Sequence, residues 1–545
     1  MLALRGAMRD HIREGDAMID HRRLLLALAA ALLAALVPAA TFAAGAVPSR
    51  EGGGLVVSTD RGAVRGALAG PVRQFLGIPY AAPPVGALRW RAPQPHAAWS
   101  GVRDATTFGS PCPQTAGLGN PGSADEDCLF LNVYAPARAD RGGELPVMFW
   151  IHGGALVTGA GSIYGPAQLV ARGVVVVTIN YRLGALGFLA HPALSAETGT
   201  GASGNYGMMD QVAALRWTQR NIRRFGGDPR DVTIFGESAG GLSVHTQLVS
   251  PLARGLFAKA ITESGAYSMV QATQAQANAA GTRFATAVGC ASQTAACLRD
   301  VPVATIVANE AGGYTPNIDG LVLTQSIGPA LASGAFNRVP VIEGTNHDEW
   351  RLFVAAAELA SGKPLTADGY EAAIQATFNA PPAFAHQLAT AVYPLSAFGG
   401  NPSIALGAIG TDAFFACNGR ISARSASQFV PAFQYEFADE QAPALIPGIS
   451  FPLGASHAAE LQYLFTGVGV SPLSPAQRRL SAAMVGYWTR FAKTGNPNSE
   501  GAPAWPRYHA ASDRFLSLVP PTPMAAGGFA AEHQCAFWAS VTPAG

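Results

Sequence analysis

The segment Gly236-Glu237-Ser238-Ala239-Gly240-Gly241 constrains the chain more than any other stretch. It follows the apolar run Val232–Phe235 directly and precedes an apolar stretch, Leu242–Leu248, with helical character. A serine held on a sharp turn between a strand and a helix needs small neighbours, because strand and helix approach each other closely there. Gly236, Gly240 and Gly241 supply them, which makes Ser238 a candidate nucleophile at the end of a buried strand. Other short runs rich in Val, Ile and Phe read as buried parallel strands: Val147–Ile151, Val174–Ile179, Ala258–Thr262 and Val339–Glu343. Between them lie helical stretches such as Met208–Arg224, and alternation of this kind predicts an α/β fold, a mostly parallel sheet with helices on both faces. Residues 49–110 differ: short alternating segments and turns suggest a small antiparallel β start.

Of the 545 residues 49% are hydrophobic and 13% charged, ample for a large core and far from the composition of a disordered chain. The formal net charge of +1, with no basic run, gives no electrostatic footprint for nucleic acid or an anionic membrane. Residues 1–46 read as an export signal: Arg22-Arg23, an apolar run Leu24–Leu36, then small residues with a cleavage point near Ala43 or Ala46. The run is short for a membrane span, so none is expected once the signal is removed, and the location expected is periplasmic or extracellular. Residues 47–545 read as a single catalytic domain, with 266–337 and 351–430 as candidate helical insertions. Six cysteines fall in that part, an even number that suggests disulfides in an exported chain but leaves 15 pairings open. No Cys-x-x-Cys pair or histidine cluster has metal spacing, so neither a metal nor a cofactor is expected, and a monomer is the default.

A serine nucleophile needs a base, an acid to orient the base, and donors for an oxyanion. His152-Gly153-Gly154-Ala155 follows the strand Val147–Ile151, and its small residues leave backbone N–H groups free to join that of Ala239. In this architecture the order along the chain is serine, acid, histidine. Asp348 and Glu349 both follow the strand Val339–Glu343, and either suits on chemistry alone; His347 beside them reads as a solvated loop residue. Among the downstream histidines, His245 suits a surface or core role. His457 stands between small residues in Gly454-Ala455-Ser456-His457-Ala458-Ala459-Glu460, but composition does not choose it over His386 or His509.

Further segments carry a resemblance: Phe75–Tyr80, Glu126–Tyr134, Asn180–Gly184, Gly204–Gln211 and Phe225–Pro229. With the elbow they resemble the type-B carboxylesterase/cholinesterase family of α/β-hydrolases over nearly all of 49–545. The resemblance implies an exported, bacterial-type carboxylesterase that cleaves small ester substrates through an acyl-serine. It places the nucleophile at Ser238, the acid at Glu349, the base at His457 and the oxyanion donors at Gly154, Ala155 and Ala239. Gly153 and Glu237 are secondary candidates, Glu237 at a position that tunes site electrostatics in the family. It also implies fold ion pairs Arg89–Glu126 and Arg182–Asp210, and disulfides Cys112–Cys128, Cys290–Cys297 and Cys417–Cys535. The last would close 118 residues of chain around the His457 region, nominally worth on the order of 4–5 kcal/mol. Three departures stand out. The loop between Cys112 and Cys128 lacks the tryptophan with which cholinesterases bind choline, Trp350 stands where the family usually has glycine, and Ala155 replaces a glycine of the oxyanion turn. Two rival readings remain: a non-catalytic binding or adhesion module on the same fold, and an amide hydrolase using the same triad.

Overall fold

The computed structural model describes residues 55–541 apart from 117–121, 139–143, 311 and 470. The export signal expected at 1–46 lies outside the described residues. Along the chain the first strands are β1 (Val56–Ser58), β2 (Ala63–Arg65), β3 (Ala67–Ala69), β4 (Val72–Pro79), β5 (Val102–Asp104), β6 (Phe130–Pro136) and β7 (Leu145–Ile151). They are followed by β8 (Val175–Ile179), β9 (Gly227–Glu237), β10 (Lys259–Glu263), β11 (Val341–Asn346), β12 (Ala432–Phe437), β13 (Phe515–Leu518) and β14 (Met524–Ala526). Eleven of them form one sheet in the order β14-β13-β12-β11-β10-β9-β7-β8-β6-β4-β3. From β8 to β13 neighbours run parallel; β14 at one edge and β6, β4 and β3 at the other pair antiparallel.

The parallel strands are apolar nearly throughout because both faces of the sheet are covered. On β7, Phe149 and Ile151 enter one core with Trp217 and Leu242, while Met148 and Trp150 enter a second with Met484 and Trp488. The two-residue period of the strand thus sorts its side chains between two helical layers. The helices Tyr206–Asn221 and Ala239–Val249 carry Trp217 and Leu242, and Pro475–Thr494 carries Met484 and Trp488. That last helix is opened by Ser474 and Gln477 in a reciprocal capping box and closed by Gly495 in the left-handed region.

Some boundaries differ from the sequence expectation. β11 starts at Val341, two residues late, because Pro340 has no N–H for the ladder, although its carbonyl accepts from Ala260 N. The helix expected at Met208–Arg224 begins earlier, at Tyr206, and passes at Ile222 into a 3₁₀ turn stopped by Gly226 at φ 101°. The small β start is not purely antiparallel. β1 pairs antiparallel with β2, but β2 pairs parallel with β5, since the chain detours through β3 and β4, at the edge of the large sheet, before returning.

Residues 266–337 contain the helices Gln274–Ala287, Ala295–Asp300, Val303–Ala308 and Ile327–Ser333. The stretch 351–430 contains Arg351–Ser361, Tyr370–Phe378, Pro382–Gln387, Pro402–Gly410 and Cys417–Ala426. These last pack with the C-terminal helix Cys535–Val541 around a separate apolar cluster that includes Trp350, Phe415 and Trp538. Cysteines pair 112 with 128, 290 with 297 and 417 with 535. Arg89 meets Glu126 at 2.6 Å and Arg182 meets Asp210 at 2.7 Å, pairs separated by 37 and 28 positions in the chain.

Candidate active site

β9 ends at Glu237, and the helix Ala239–Val249 starts one residue beyond Ser238. Ser238 itself adopts φ 56° and ψ −121°, a conformation costing about 1–3 kcal/mol that only surrounding structure can hold. That structure is visible: Ser238 N donates to Glu263 O on β10 at 2.9 Å, and Ser238 O accepts from Leu242 N at 2.8 Å. Gly240 must be glycine, since a Cβ there would lie 2.0 Å from Ile151 O. Among these tightly packed residues Ser238 alone stays half-buried, so its hydroxyl remains reachable.

The turn after β7 lies against this elbow. A Cβ on Gly153 would sit 3.1 Å from Ser238 Cβ and 2.9 Å from Glu237 Oε2. Gly154 and Ala155 are half-buried, and among the described residues neither backbone N–H donates to a protein acceptor. Ala239 opens its helix, where an N–H has no intrahelical partner. His152 is locked away from chemistry: its ring stacks on Tyr181 with centroids 4.4 Å apart, Nδ1 meets Gly153 O at 2.8 Å, and burial pushes its pKa down to about 4.

Glu349 and His457 come together although 108 residues separate them: Glu349 Oε2 lies 2.5 Å from His457 Nδ1. The carboxylate is aimed by two more donors on Oε1, Asn346 N at 2.8 Å and Thr345 Oγ1 at 3.0 Å. Asp348, the sequence alternative, is engaged elsewhere, with Arg351, His347 and Ala455 N. His457 is 5% exposed, and its Nε2 has no hydrogen-bond partner, with Glu237 Oε1 3.2 Å away at poor angles. The ring lies among aromatics, 5.0 Å from Phe415 and 5.3 Å from Phe353 between centroids. The other histidines fall outside this centre. His245 is buried between Glu343 and Ser422, His386 pairs with Glu371 at the surface, and His509 is exposed.

Buried carboxyl groups cluster around this pair. Burial favours neutral His457, but the Glu237 and Glu349 carboxylates outweigh it and raise its pKa above the ordinary 6.5. Burial lifts Glu237 to about 7, with the His457 charge pulling it down and Glu349 pushing it up. Two more buried carboxyls belong to this group and had no role assigned from sequence. Burial raises Glu263 to about 8 although Trp488 Nε1 donates to it at 2.8 Å. Burial, and then Glu237, raise Glu460 well above the usual carboxyl range, while Asn346 Nδ2 donates to it at 2.5 Å. The available signal for Glu263 was an acidic residue at the carboxyl end of a buried parallel strand, where α/β sheets place their sites. Trp350, the bulky departure, is 3% exposed, stacks on Phe353 and lies tilted against Phe414 beside Gly410, whose missing side chain makes the room.

A half-buried serine on a strand–helix elbow, a buried glutamate–histidine pair and a glycine turn at the carboxyl edge of a parallel sheet define an α/β-hydrolase. The profile described as the carboxylesterase family matches residues 54–538, and the chain belongs to that family. It is 37% identical over 510 residues to the cocaine esterase of Homo sapiens, covering 88% of this chain and 89% of that one. It is 37% identical over 474 residues to the fumonisin B1 esterase of Sphingopyxis macrogoltabida, covering 83% and 84%. A solved PNB esterase superimposes with a TM-score of 0.75 at 32% identity, over 90% of this chain and 100% of that one. The protein is a carboxylic ester hydrolase of the type-B carboxylesterase/cholinesterase family.

Proposed function

We propose that this protein is an exported serine carboxylesterase working through an acyl-serine. Ser238 attacks the ester carbonyl while His457 Nε2 takes its proton; Glu349, fixed on Nδ1, selects the tautomer and balances the imidazolium. The N–H groups of Gly154, Ala155 and Ala239 hold the oxyanion. His457 then gives its proton to the departing alcohol, and water activated by the same ring releases the acid and frees Ser238. The observation that carries this reading is the 2.5 Å contact of Glu349 with His457, whose opposite nitrogen is left without a partner beside the elbow. Glu237 tunes the base through its charge, and the aromatic side chains at Phe353 and Phe415 keep water away from the ring.

Export is supported by the leader-like residues 1–46 and by three disulfides that suit an oxidising compartment. Among the described residues no helix is long and apolar enough to cross a membrane. We read residues 47–545 as one catalytic domain acting as a monomer.

The test is hydrolysis of a p-nitrophenyl ester series, from acetate to long acyl chains, by wild type and Ser238→Ala, alongside a fluorogenic ester and its matched amide. The expected result is ester turnover confined to wild type, with the amide cleaved far more slowly. Equal turnover by Ser238→Ala would remove Ser238 from the mechanism, and a preference for the amide would reverse the substrate class.

A further inference from the structure

A second histidine–carboxylate assembly lies outside the Ser238 centre, where the C-terminal helices meet the carboxyl edge of the sheet. His533 sits between the helices Phe529–Glu532 and Cys535–Val541 and faces a carboxylate with each nitrogen, Nδ1 to Asp412 and Nε2 to Glu436, both at 2.6 Å. His347 repeats the pattern, Nδ1 to Asp348 at 3.0 Å and Nε2 to Glu532 at 3.2 Å, with the two rings 5.8 Å apart. A neutral imidazole has one N–H and an ionised carboxylate has none. A ring that meets carboxyl oxygens on both sides therefore needs a proton in each contact; with both acids ionised, each ring is an imidazolium shared by two carboxylates. Burial works against charge on both rings, yet the facing carboxylates prevail and lift His347 to about 11 and His533 to about 10. Arg351, on Asp348, and Tyr393, which donates to Asp412, complete the titratable and charged surroundings.

Asp348 links this assembly to the reacting loops. It precedes Glu349, its N–H donates to Ala455 O at 3.0 Å, and its Oδ2 accepts from Ala455 N at 2.9 Å. Ala455 stands two residues before His457. The loop that carries the acid and the loop that carries the base are thus fastened to each other through Asp348, and His347 fastens Asp348 in turn to Glu532, the last residue of the helix Phe529–Glu532. His347 N also donates to Phe437 O at the end of β12.

We propose that His347 is a positioning residue of the esterase site, a cationic clip that holds the Glu349 loop in register with the His457 loop by bridging Asp348 to Glu532. The inference rests on the triad reading above. His347 touches no reacting atom; it acts through Asp348, and Arg351 keeps Asp348 paired when the clip is removed, so the fold survives its loss. The effect belongs in kcat and not in KM, because a loosened Glu349–His457 pair weakens proton transfer without altering the substrate pocket.

The experiment compares kcat, KM and melting temperature for wild type, His347→Ala, His347→Lys, Glu532→Gln and Ser238→Ala on p-nitrophenyl acetate, with active sites counted from the p-nitrophenol burst. Expected is a drop in kcat of about tenfold for His347→Ala with KM within about twofold, restoration to within about threefold of wild type by His347→Lys, and about a threefold loss for Glu532→Gln. Glu532 is half-exposed, so its variant folds whatever the fate of the others. The proposal is overturned if kcat of His347→Ala stays within about twofold of wild type, or if the lysine variant falls as far as the alanine variant. An inactive Ser238→Ala beside a fully active His347→Ala would sink this inference alone, whereas a turning-over Ser238→Ala would sink the triad reading beneath it.

Discussion

His457 and His533 are both almost wholly buried, both face acidic side chains and both have pKa values raised above the ordinary one, yet the structure uses them in opposite ways. His533 has a carboxylate oxygen at 2.6 Å from each nitrogen, so neither nitrogen has a lone pair to offer. His457 has one nitrogen fixed by Glu349 and the other unbonded, beside the serine elbow. The difference teaches that burial and acidic neighbours do not make a base. On the proposed mechanism a base needs one ring nitrogen satisfied and the other left open.

The largest expected effect separates the two rings by activity. His457→Ala should lower kcat by about 10⁵–10⁶-fold, and Glu349→Gln by about 10⁴-fold, in protein that still folds. A steady-state assay with circular-dichroism melts checks both, and activity surviving in either variant would erase the contrast. His533→Ala should do the reverse. It strands the carboxylates of Asp412 and Glu436, which costs about 3–5 kcal/mol of stability in a denaturant titration, while the folded fraction keeps most of its turnover. The wild-type contribution has a definite sign with pH. A histidine whose folded pKa is raised to about 10 from 6.5 stabilises fully below about pH 6.5, and that contribution drains away as pH rises through about 10. Replacing His533 should flatten that part of the pH–stability curve.

A smaller effect sharpens the account of His457. Its pKa is held up against burial by Glu237 first and Glu349 second. Glu237→Gln removes one of those charges, makes the imidazolium less favourable, and should move the acid limb of the kcat/KM profile to lower pH. A limb that stays put would show that Glu237 carries no charge when the base titrates, and one that moves up would contradict its stabilising the imidazolium. The smallest effect concerns the turn proposed to hold the oxyanion. Ala155 has φ 55°, a region that suits glycine. Ala155→Gly should change stability by at most about 1 kcal/mol, in the stabilising direction, and leave kcat within about twofold because the N–H is unchanged.

Much of this was legible in the sequence because the signals were local. A strand, a glycine-flanked serine and a helix follow one another within a few residues, and parallel strands buried on both faces show as unbroken apolar runs. The choice between Asp348 and Glu349 was not local. On chemistry the two are equivalent and only the resemblance favours Glu349; the loop after β11 carries Glu349 to His457 and Asp348 to Ala455 and Arg351, a placement no local pattern encodes. His347 reads from sequence as a solvated loop residue, yet its ring is clamped between Asp348 and Glu532, because Glu532 approaches from 185 positions away in the chain. Glu263 and Glu460 went unassigned for the same reason: burial and the nearby Glu237 raise both carboxyls, and no spacing in the chain reveals that grouping.

The most direct test of the account is to trap the acyl-enzyme. Wild type mixed with p-nitrophenyl acetate and quenched in acid within the burst should yield, on peptide mass spectrometry, one acetyl group on the peptide carrying Ser238, and Ser238→Ala should yield none. Wild-type turnover with an unmodified Ser238 peptide, or an acetyl group on another side chain in amounts that match the burst, would contradict it.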